Sequence, residues 1–383
     1  MSKAISVAGA VLAAAMLVPP ASLAATLTTI YPFGAAGDGN EPLAAVLNVG
    51  GILYGTTDGG GNDRDGTVFG VDPTTQAETF LYSAHLVQAG LDAALITVGN
   101  TLYGTSNGFH RSSYGSVFKI SLATGHYTTV YSFSGGSDGS TPAAALLDVG
   151  GTAYGTTSGG GAFDLGTVFS IDLATGAETV VYSFAGGSDG ATPLAALINV
   201  RGMLYGTTSA GGGGAGCVQC GTVFKIDPGT GAETVLHVFS FDGSDGYAPD
   251  AALLYVGGML YGTTPGGGGD CGCGTVFAID PISGAETVLH AFGTGKDGTA
   301  PQAGLINANG YLYGTTEYGG DYNVGTIFRI NPYTGAYNVI HNFVYTSDGA
   351  EPRAGLVSMG GALYGTTSAG GPSNGGTVFS LTP

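Results

Sequence analysis

Tryptophan is absent from the 383 residues, and basic side chains are scarce, with nine Lys and Arg against 27 Asp and Glu. The resulting net charge of -18 makes nucleic acid and anionic membrane surfaces poor partners. Without tryptophan, any stacking on a sugar falls to tyrosines. Long apolar runs are missing as well. The first one, Ile5 to Val18, stops at Pro19-Pro20 and falls short of the ~20 residues of a membrane span. Lys3 in front of it and Ser22-Leu23-Ala24 behind it make residues 1–24 read as a secretory leader. The expected product is a secreted or periplasmic chain of one domain, residues 25–383, with no transmembrane segment. No stretch has the period of an amphipathic helix, which excludes sites built on helices.

What is abundant is glycine, 73 residues, alongside many Val, Ile, Thr, Tyr and Phe. That mixture suits short strands joined by tight turns. The tripeptide Tyr-Gly-Thr recurs with its tyrosine at Tyr54, Tyr103, Tyr154, Tyr205, Tyr261, Tyr313 and Tyr364, seven copies spaced 49 to 56 residues apart. Each copy carries four β-rich runs, as in PLAALINV (193–200), GMLYGTTSAG (202–211), GTVFKID (221–227) and AETVLHVF (232–239). We label them strands A to D. A four-stranded unit of this size cannot bury both faces alone, and seven packed radially make a β-propeller. The glycine of Tyr-Gly-Thr is expected to let neighbouring sheets approach.

The ends favour a closed ring over an open solenoid. In copies one to six the Phe of strand C precedes a strand D aromatic by 13 residues, from Phe69 and Tyr82 to Phe328 and His341. Phe379 has no such partner, but TLTTIYPF (26–33) is a strand D sequence placed before the first strand A. The expected fold is therefore all-β, a seven-bladed β-propeller of four-stranded antiparallel blades, closed by an N-terminal strand that completes the last blade.

Over residues 26–383 the segments LYGTTSAGG, GTVF, TGAETVLYSF-like runs and DGxxP resemble the glycine-rich Gloeo/Verruco (GloVer) tandem repeats of "choice-of-anchor" secreted proteins. The resemblance implies an exported repeat protein, often with a C-terminal anchor, whereas this sequence finishes SLTP. It implies nothing about an activity.

Loop lengths point to one face. The strand C to D spacing never changes, while Tyr205 to Gly221 is 16 residues and Tyr261 to Gly274 is 13, against 12 in the other copies. All length changes fall in the B-C and D-A loops, and loops that tolerate change carry binding residues. The residue after the strand A proline, or after Leu91 in blade two, is Leu43, Asp92, Ala143, Leu194, Asp250, Gln302 or Arg353. Asp92, Asp250, Gln302 and Arg353 break the repeat, so packing does not explain them, and they are candidates for ligand contact at the channel mouth. His110 and Arg111 in the B-C loop of blade two, and Glu317, Tyr318 and Tyr322 in that of blade six, are candidates for an exposed contact surface.

Asp38, Asp138, Asp189, Asp245, Asp297 and Asp348 each precede a glycine before strand A. They read either as turn residues or as a ring of oxygen ligands for a hard cation such as Ca2+. His237, His290 and His341 occupy the strand D position of Tyr31, Tyr82, Tyr131 and Tyr182 and read as aromatic fillers. Glu78, Glu178, Glu233 and Glu286 read as solvated charges.

In residues 201–227 the glycine run lacks the Gly-Lys-Ser/Thr ending and the helix of a phosphate cradle. Cys217, Cys220, Cys271 and Cys273 all lie in the two lengthened loops. Export favours disulfides, in three connectivities, over a four-thiolate zinc site; bonds between the loops would tie blades four and five together.

The favoured function is a monomeric, non-catalytic binding or scaffold module for an extracellular protein or polysaccharide. The alternative is a metal-assisted hydrolase or lactonase at the channel mouth. No catalytic residue is assigned.

Overall fold

Each repeat places its β-branched and aromatic residues in four short extended segments and its glycines in the turns between them. The computed structural model describes residues 25–35, 37–85, 90–108, 113–213, 220–293 and 295–383. In blade four, strands A (Ile198–Val200), B (Met203–Thr208), C (Thr222–Ile226) and D (Glu233–Val238) form an antiparallel meander. Seven such sheets make an all-β, seven-bladed β-propeller. Two single 3-10 turns, Gly187–Asp189 and Gly295–Asp297, are the only helical elements among the described residues.

The seventh blade draws on both ends of the chain. Val357–Met359, Ala362–Thr367 and Thr377–Thr382 are joined by Thr26–Pro32, in antiparallel register from Thr26 opposite Thr382 to Pro32 opposite Thr377. The N-terminal strand covers the edge of Thr377–Thr382 and ties both ends of the chain into one sheet.

Blades are hooked together by phenylalanine. Phe33, just past the N-terminal strand, is fully buried and sets its edge on Phe69 of blade one, with ring centroids 4.9 Å apart. The pair recurs from Phe133 and Phe169 to Phe343 and Phe379. At the boundary of blades one and two Ala84 stands in the position of Phe33, and Tyr127 stacks on Tyr82 and Phe118 instead.

Tyr-Gly-Thr works differently from the sequence expectation. A Cβ at Gly206 would lie 2.6 Å from Phe224 Cζ and 2.8 Å from Leu197 Cδ2, both in the same blade. The glycine thus lets the blade's own phenylalanine lie across strand B, where it receives the hook from the preceding blade. A further contact between sheets comes from the following threonine in every blade but the fourth, where Thr207 Oγ1 has no partner among the described residues. Thr156 Oγ1 donates to the Ala195 carbonyl of the next blade at 3.1 Å, and Thr366 does the same to Ala44 across the ring closure at 3.2 Å.

This bond explains a second departure. Strand A is only three residues long, pairing Ile198 with Tyr205, Asn199 with Leu204 and Val200 with Met203, although the apolar run begins at Pro193. Pro193 has no N–H to donate, and the Ala195 carbonyl is taken by the neighbouring blade, so residues 193–197 bend along the axis instead of extending the sheet.

Candidate functional site at the channel mouth

The D-A and B-C loops of a blade lie against each other on one face. Gly39–Asn40 pairs with Gly59–Gly60, Gly246–Tyr247 with Gly266–Gly267, and isolated bridges join Ala191 to Ala210 and Thr299 to Tyr318. The glycine run is required by this approach, because a Cβ at Gly60, whose φ is +81°, would sit 2.3 Å from the Asp38 carbonyl oxygen.

The residue before each strand A proline is left-handed, with φ between 54° and 57° at Glu41, Thr141, Thr192, Ala248, Ala300 and Glu351. Its N–H donates to the preceding blade, as Glu351 does to Val324, and its carbonyl accepts from its own B-C loop, as Ala300 does from Glu317. The next non-proline residue is thereby fixed at the inner end of the loop face.

The repeat-breaking side chains of this face fall in blades two, five, six and seven. In blade two, Asp92 accepts from Asn107 Nδ2 and lies within hydrogen-bond reach of the Asp58 carboxyl of blade one. Burial, reinforced by Asp58, pushes the Asp92 pKa up to about 8. In blade five, burial pushes Asp250 up to about 7, with the Glu317 charge adding to it. Asp92 Oδ1 and Asp250 Oδ1 are both buried without a hydrogen-bond partner among the described residues.

Blades six and seven contribute an ion-paired cluster. Gln302 Nε2 donates to Glu317 Oε2 at 2.6 Å, and Arg353 Nη2 lies 2.6 Å from Glu317 Oε1 and 3.1 Å from Glu351 Oε2. The hydroxyl of Tyr318 bonds to Glu317, which holds its pKa above that of a free tyrosine. Glu41, Leu43, Glu351, Arg353 and Tyr345 line a cleft of about 240 Å³ between blades seven and one. At the sister positions blades three and four offer Ala143, Ser158, Leu194 and Ser209, which carry no charge.

Asp250, Gln302, Arg353 and Tyr318 thus gather around Glu317, Asp92 stands with Asp58 and Asn107, and Tyr322 is 62% exposed on the same face. His110 and Arg111 lie outside the described residues. Glu317 is not an exposed loop charge but a buried one, 3% accessible, held by Gln302 and Arg353. Sequence reading missed Asp58, Asn107 and Glu351. Asp58 and Asn107 had a signal, since the position after Tyr-Gly-Thr-Thr, or after Tyr-Gly-Thr-Ser in blade two, varies as Asp58, Asn107, Ser158, Ser209, Pro265, Glu317 and Ser368. The same face exposes Tyr114, Phe163, Phe241 and Tyr345.

The six Asp-Gly aspartates do not converge on the mouth. Each turns to the strand D aromatic of its own blade and to a loop N–H: Asp138 takes the Tyr131 hydroxyl at 3.0 Å and the Ser134 N–H at 2.8 Å, and Asp348 takes His341 Nε2 at 2.9 Å and the Val344 N–H at 2.6 Å. Asp38, Asp189, Asp245 and Asp297 repeat the pattern with Tyr31, Tyr182, His237 and His290. The ring of cation ligands is thus dispersed over separate blade boundaries.

The strand D glutamates are not solvated charges either. Glu78, Glu178, Glu233 and Glu286 reach from one blade to the Asp of the preceding one. Burial, together with Asp38, Asp138, Asp189 and Asp245 respectively, pushes each up to about 7.

Cys271 is paired with Cys273 inside one loop, and Cys220 is also disulfide-bonded, while Cys217 lies outside the described residues. The pairing of Cys271 with Cys273 leaves neither available to tie blade five to blade four.

Solved structures share the fold at low identity. The extracellular domain of a one-component system protein of B. thetaiotaomicron, BT4673, superposes with a TM-score of 0.64 at 11% identity, over 93% of this chain and 39% of that one. This chain thus spans about two fifths of its length. An oligogalacturonate lyase in complex with manganese gives 0.54 at 13% identity over 94% of both chains. A protein of Bacteroides uniformis named as a 6-phosphogluconolactonase gives 0.53 at 16% over 82% of this chain and 88% of that one. No curated protein matches by sequence. No helix among the described residues is long and apolar enough to cross a membrane. The Gloeobacter/Verrucomicrobia repeat family model matches residues 19–218 and 213–383, and the chain belongs to that family.

Proposed function

We propose that the protein, exported through residues 1–24, is an extracellular binding module that seats a neutral polysaccharide over the channel mouth. The observation that carries this reading is the arc from blade five to blade two. There Asp250, Gln302, Glu317, Arg353, Asn107 and Asp92 break an otherwise uniform repeat, and two buried carboxyl oxygens lack partners among the described residues. A carboxyl raised to about 7 or 8 carries a proton for much of its time at neutral pH and both donates to and accepts from hydroxyl groups. Exposed Tyr318, Tyr322, Tyr345 and Tyr114 offer flat apolar rings with polar tips beside it. Net charge of -18 disfavours an anionic polymer.

Affinity electrophoresis against neutral glucans, mannans and galactans, with a polyuronate as the charged comparison, tests it. Asp250→Asn combined with Tyr318→Ala should weaken binding of a neutral polymer tenfold or more. Undiminished binding by that variant refutes the mouth as the site, and capture only by a protein partner replaces the substrate class. A hydrolytic reading draws on the same two carboxyls as a proton donor and acceptor. It predicts turnover of a bound lactone or glycan that is lost in Asp92→Asn.

A further inference from the structure

The strand D boundaries between blades provide an internal comparison. At three of them a tyrosine, the Asp-Gly aspartate and the next blade's glutamate come together. The Tyr31 hydroxyl lies 3.2 Å from Asp38 Oδ2 and 3.1 Å from Glu78 Oε2, and Tyr131 and Tyr182 take the same place beside Asp138 with Glu178 and Asp189 with Glu233. The phenol bonds the aspartate at all three, and Tyr31 and Tyr131 reach the glutamate as well. Two other boundaries carry a histidine without the second carboxylate, since Tyr337 replaces the glutamate beside His290 and Asp297, and Leu27 stands at that position beyond His341 and Asp348.

The boundary of blades four and five alone combines the three ligand types. His237 Nε2 lies 3.1 Å from Asp245 Oδ2, and one ligand atom from each of His237, Asp245 and Glu286 falls within 4.8 Å of the others. No other group of three such residues this close occurs among the described residues. The His237 and Asp245 side chains keep only 18% and 11% of their exposure, and Glu286 Oε1 is buried without a hydrogen-bond partner among the described residues. Asp245 also lines a cavity of about 460 Å³ whose wall carries Asp242 and Asp270, an acidic approach for a cation.

We propose that His237, Asp245 and Glu286 bind one divalent transition-metal ion that ties blade four to blade five. Ligands about 2.0–2.2 Å from a zinc-sized ion stand about 3.3–3.6 Å apart in tetrahedral geometry, a little beyond the 3.1 Å between His237 Nε2 and Asp245 Oδ2. A small rotation of Glu286 completes the set. An imidazole with two carboxylates suits Zn2+ or Mn2+ and is a poor match to Ca2+, which takes oxygen alone. Asp245 keeps its bonds to the N–H groups of Ser240 and Gly246, which orient the carboxylate from behind. The site lies at the outer strands, apart from the channel mouth, and does not depend on the polysaccharide reading.

The test is equilibrium dialysis of untagged, oxidised protein against ZnCl2, MnCl2 and CaCl2, with metal analysis and thermal melts. The expected result is one equivalent of Zn2+ or Mn2+ with a raised Tm. His237→Tyr recreates the residue set of three sister boundaries, so it should fold and lose the ion. Glu286→Gln should bind at least tenfold more weakly, and His341→Tyr should bind as the parent does. No uptake, uptake unchanged by His237→Tyr and Glu286→Gln, or equal binding of Ca2+ overturns the proposal.

Discussion

Glu78, Glu178 and Glu233 make the ring's stability depend on pH in a direction opposite to that of ordinary paired carboxylates. Each is raised from the 4.5 of a free glutamate to about 7, first by burial and then by the carboxylate of Asp38, Asp138 or Asp189 facing it. The tyrosines Tyr31, Tyr131 and Tyr182 complete the surroundings and stay protonated throughout. Between those two pKa values the folded chain holds more protons than the unfolded one, so stability is fully present below pH 4.5 and falls as pH rises through 7. A fully buried carboxyl displaced this far would contribute about 3.4 kcal/mol. These are half-buried, and screening by solvent reduces the figure to about 1 kcal/mol each, or about 3 kcal/mol for the three together.

The assay compares the parent with Glu78→Gln/Glu178→Gln/Glu233→Gln by thermal melts from pH 4.5 to 8. About 0.5 M NaCl shortens the Debye length to about 4 Å, which suppresses the general repulsion of a -18 chain. Asp92, Asp250 and Glu286 titrate in both proteins and cancel in the difference. The two melting curves should run close together at pH 4.5 and separate toward pH 8, with the parent lower by about 3 to 6 °C, taking 1–2 °C per kcal/mol for a chain of this size. Parallel curves over the whole range would refute the reasoning, because they would mean that the three glutamates are solvated in the fold.

Two further outcomes concern the scaffold. Removing residues 25–34 strips blade seven of its outer strand and of Phe33, so the truncated chain should melt far lower and aggregate through the exposed Thr377–Thr382 edge, while Phe33→Ala alone should cost about 3–5 kcal/mol in denaturant unfolding. An unchanged Tm after truncation contradicts ring closure as a source of stability. Gly206→Ala should cost about 1–3 kcal/mol by displacing Phe224 and Leu197, whereas Gly229→Ala, whose nearest neighbour is a side-chain oxygen 3.4 Å away in an exposed turn, should change unfolding little.

The fold was legible because its determinants are repeated and local. Seven Tyr-Gly-Thr copies give the blade count, and TLTTIYPF displaced to the N-terminal end gives the closure. The mouth was half legible. Asp92, Asp250, Gln302 and Arg353 stood out by breaking the repeat, but their partners did not, because Asp58 and Glu351 come from an adjacent blade or the loop before the proline. Glu317 looked exposed because loop charges usually are. Only the geometry brings Gln302 and Arg353 against it from two blades. The glutamates were misread for the same reason: their position after a hairpin turn says nothing about the aspartate of the preceding blade.

A repeat protein separates packing from chemistry, but the division does not run residue by residue. Glu178, Glu233 and Glu286 occupy one repeated position, share the same burial class and each leave Oε1 unbonded among the described residues. The first two face a tyrosine, and a proton shared with a phenol and an aspartate is all they can hold. Glu286 faces His237, and the same carboxyl becomes a third ligand without any change of its own. A single substitution on the neighbouring blade thus alters the chemistry of a glutamate that is the same in three successive blades. The loop face follows the same logic, since burial raises Asp250 and Asp92, and Glu317 of the next blade and Asp58 of the one before add to it. In this propeller the boundary between blades sets the chemistry of these positions, and a residue is informative when both of its neighbours are read with it.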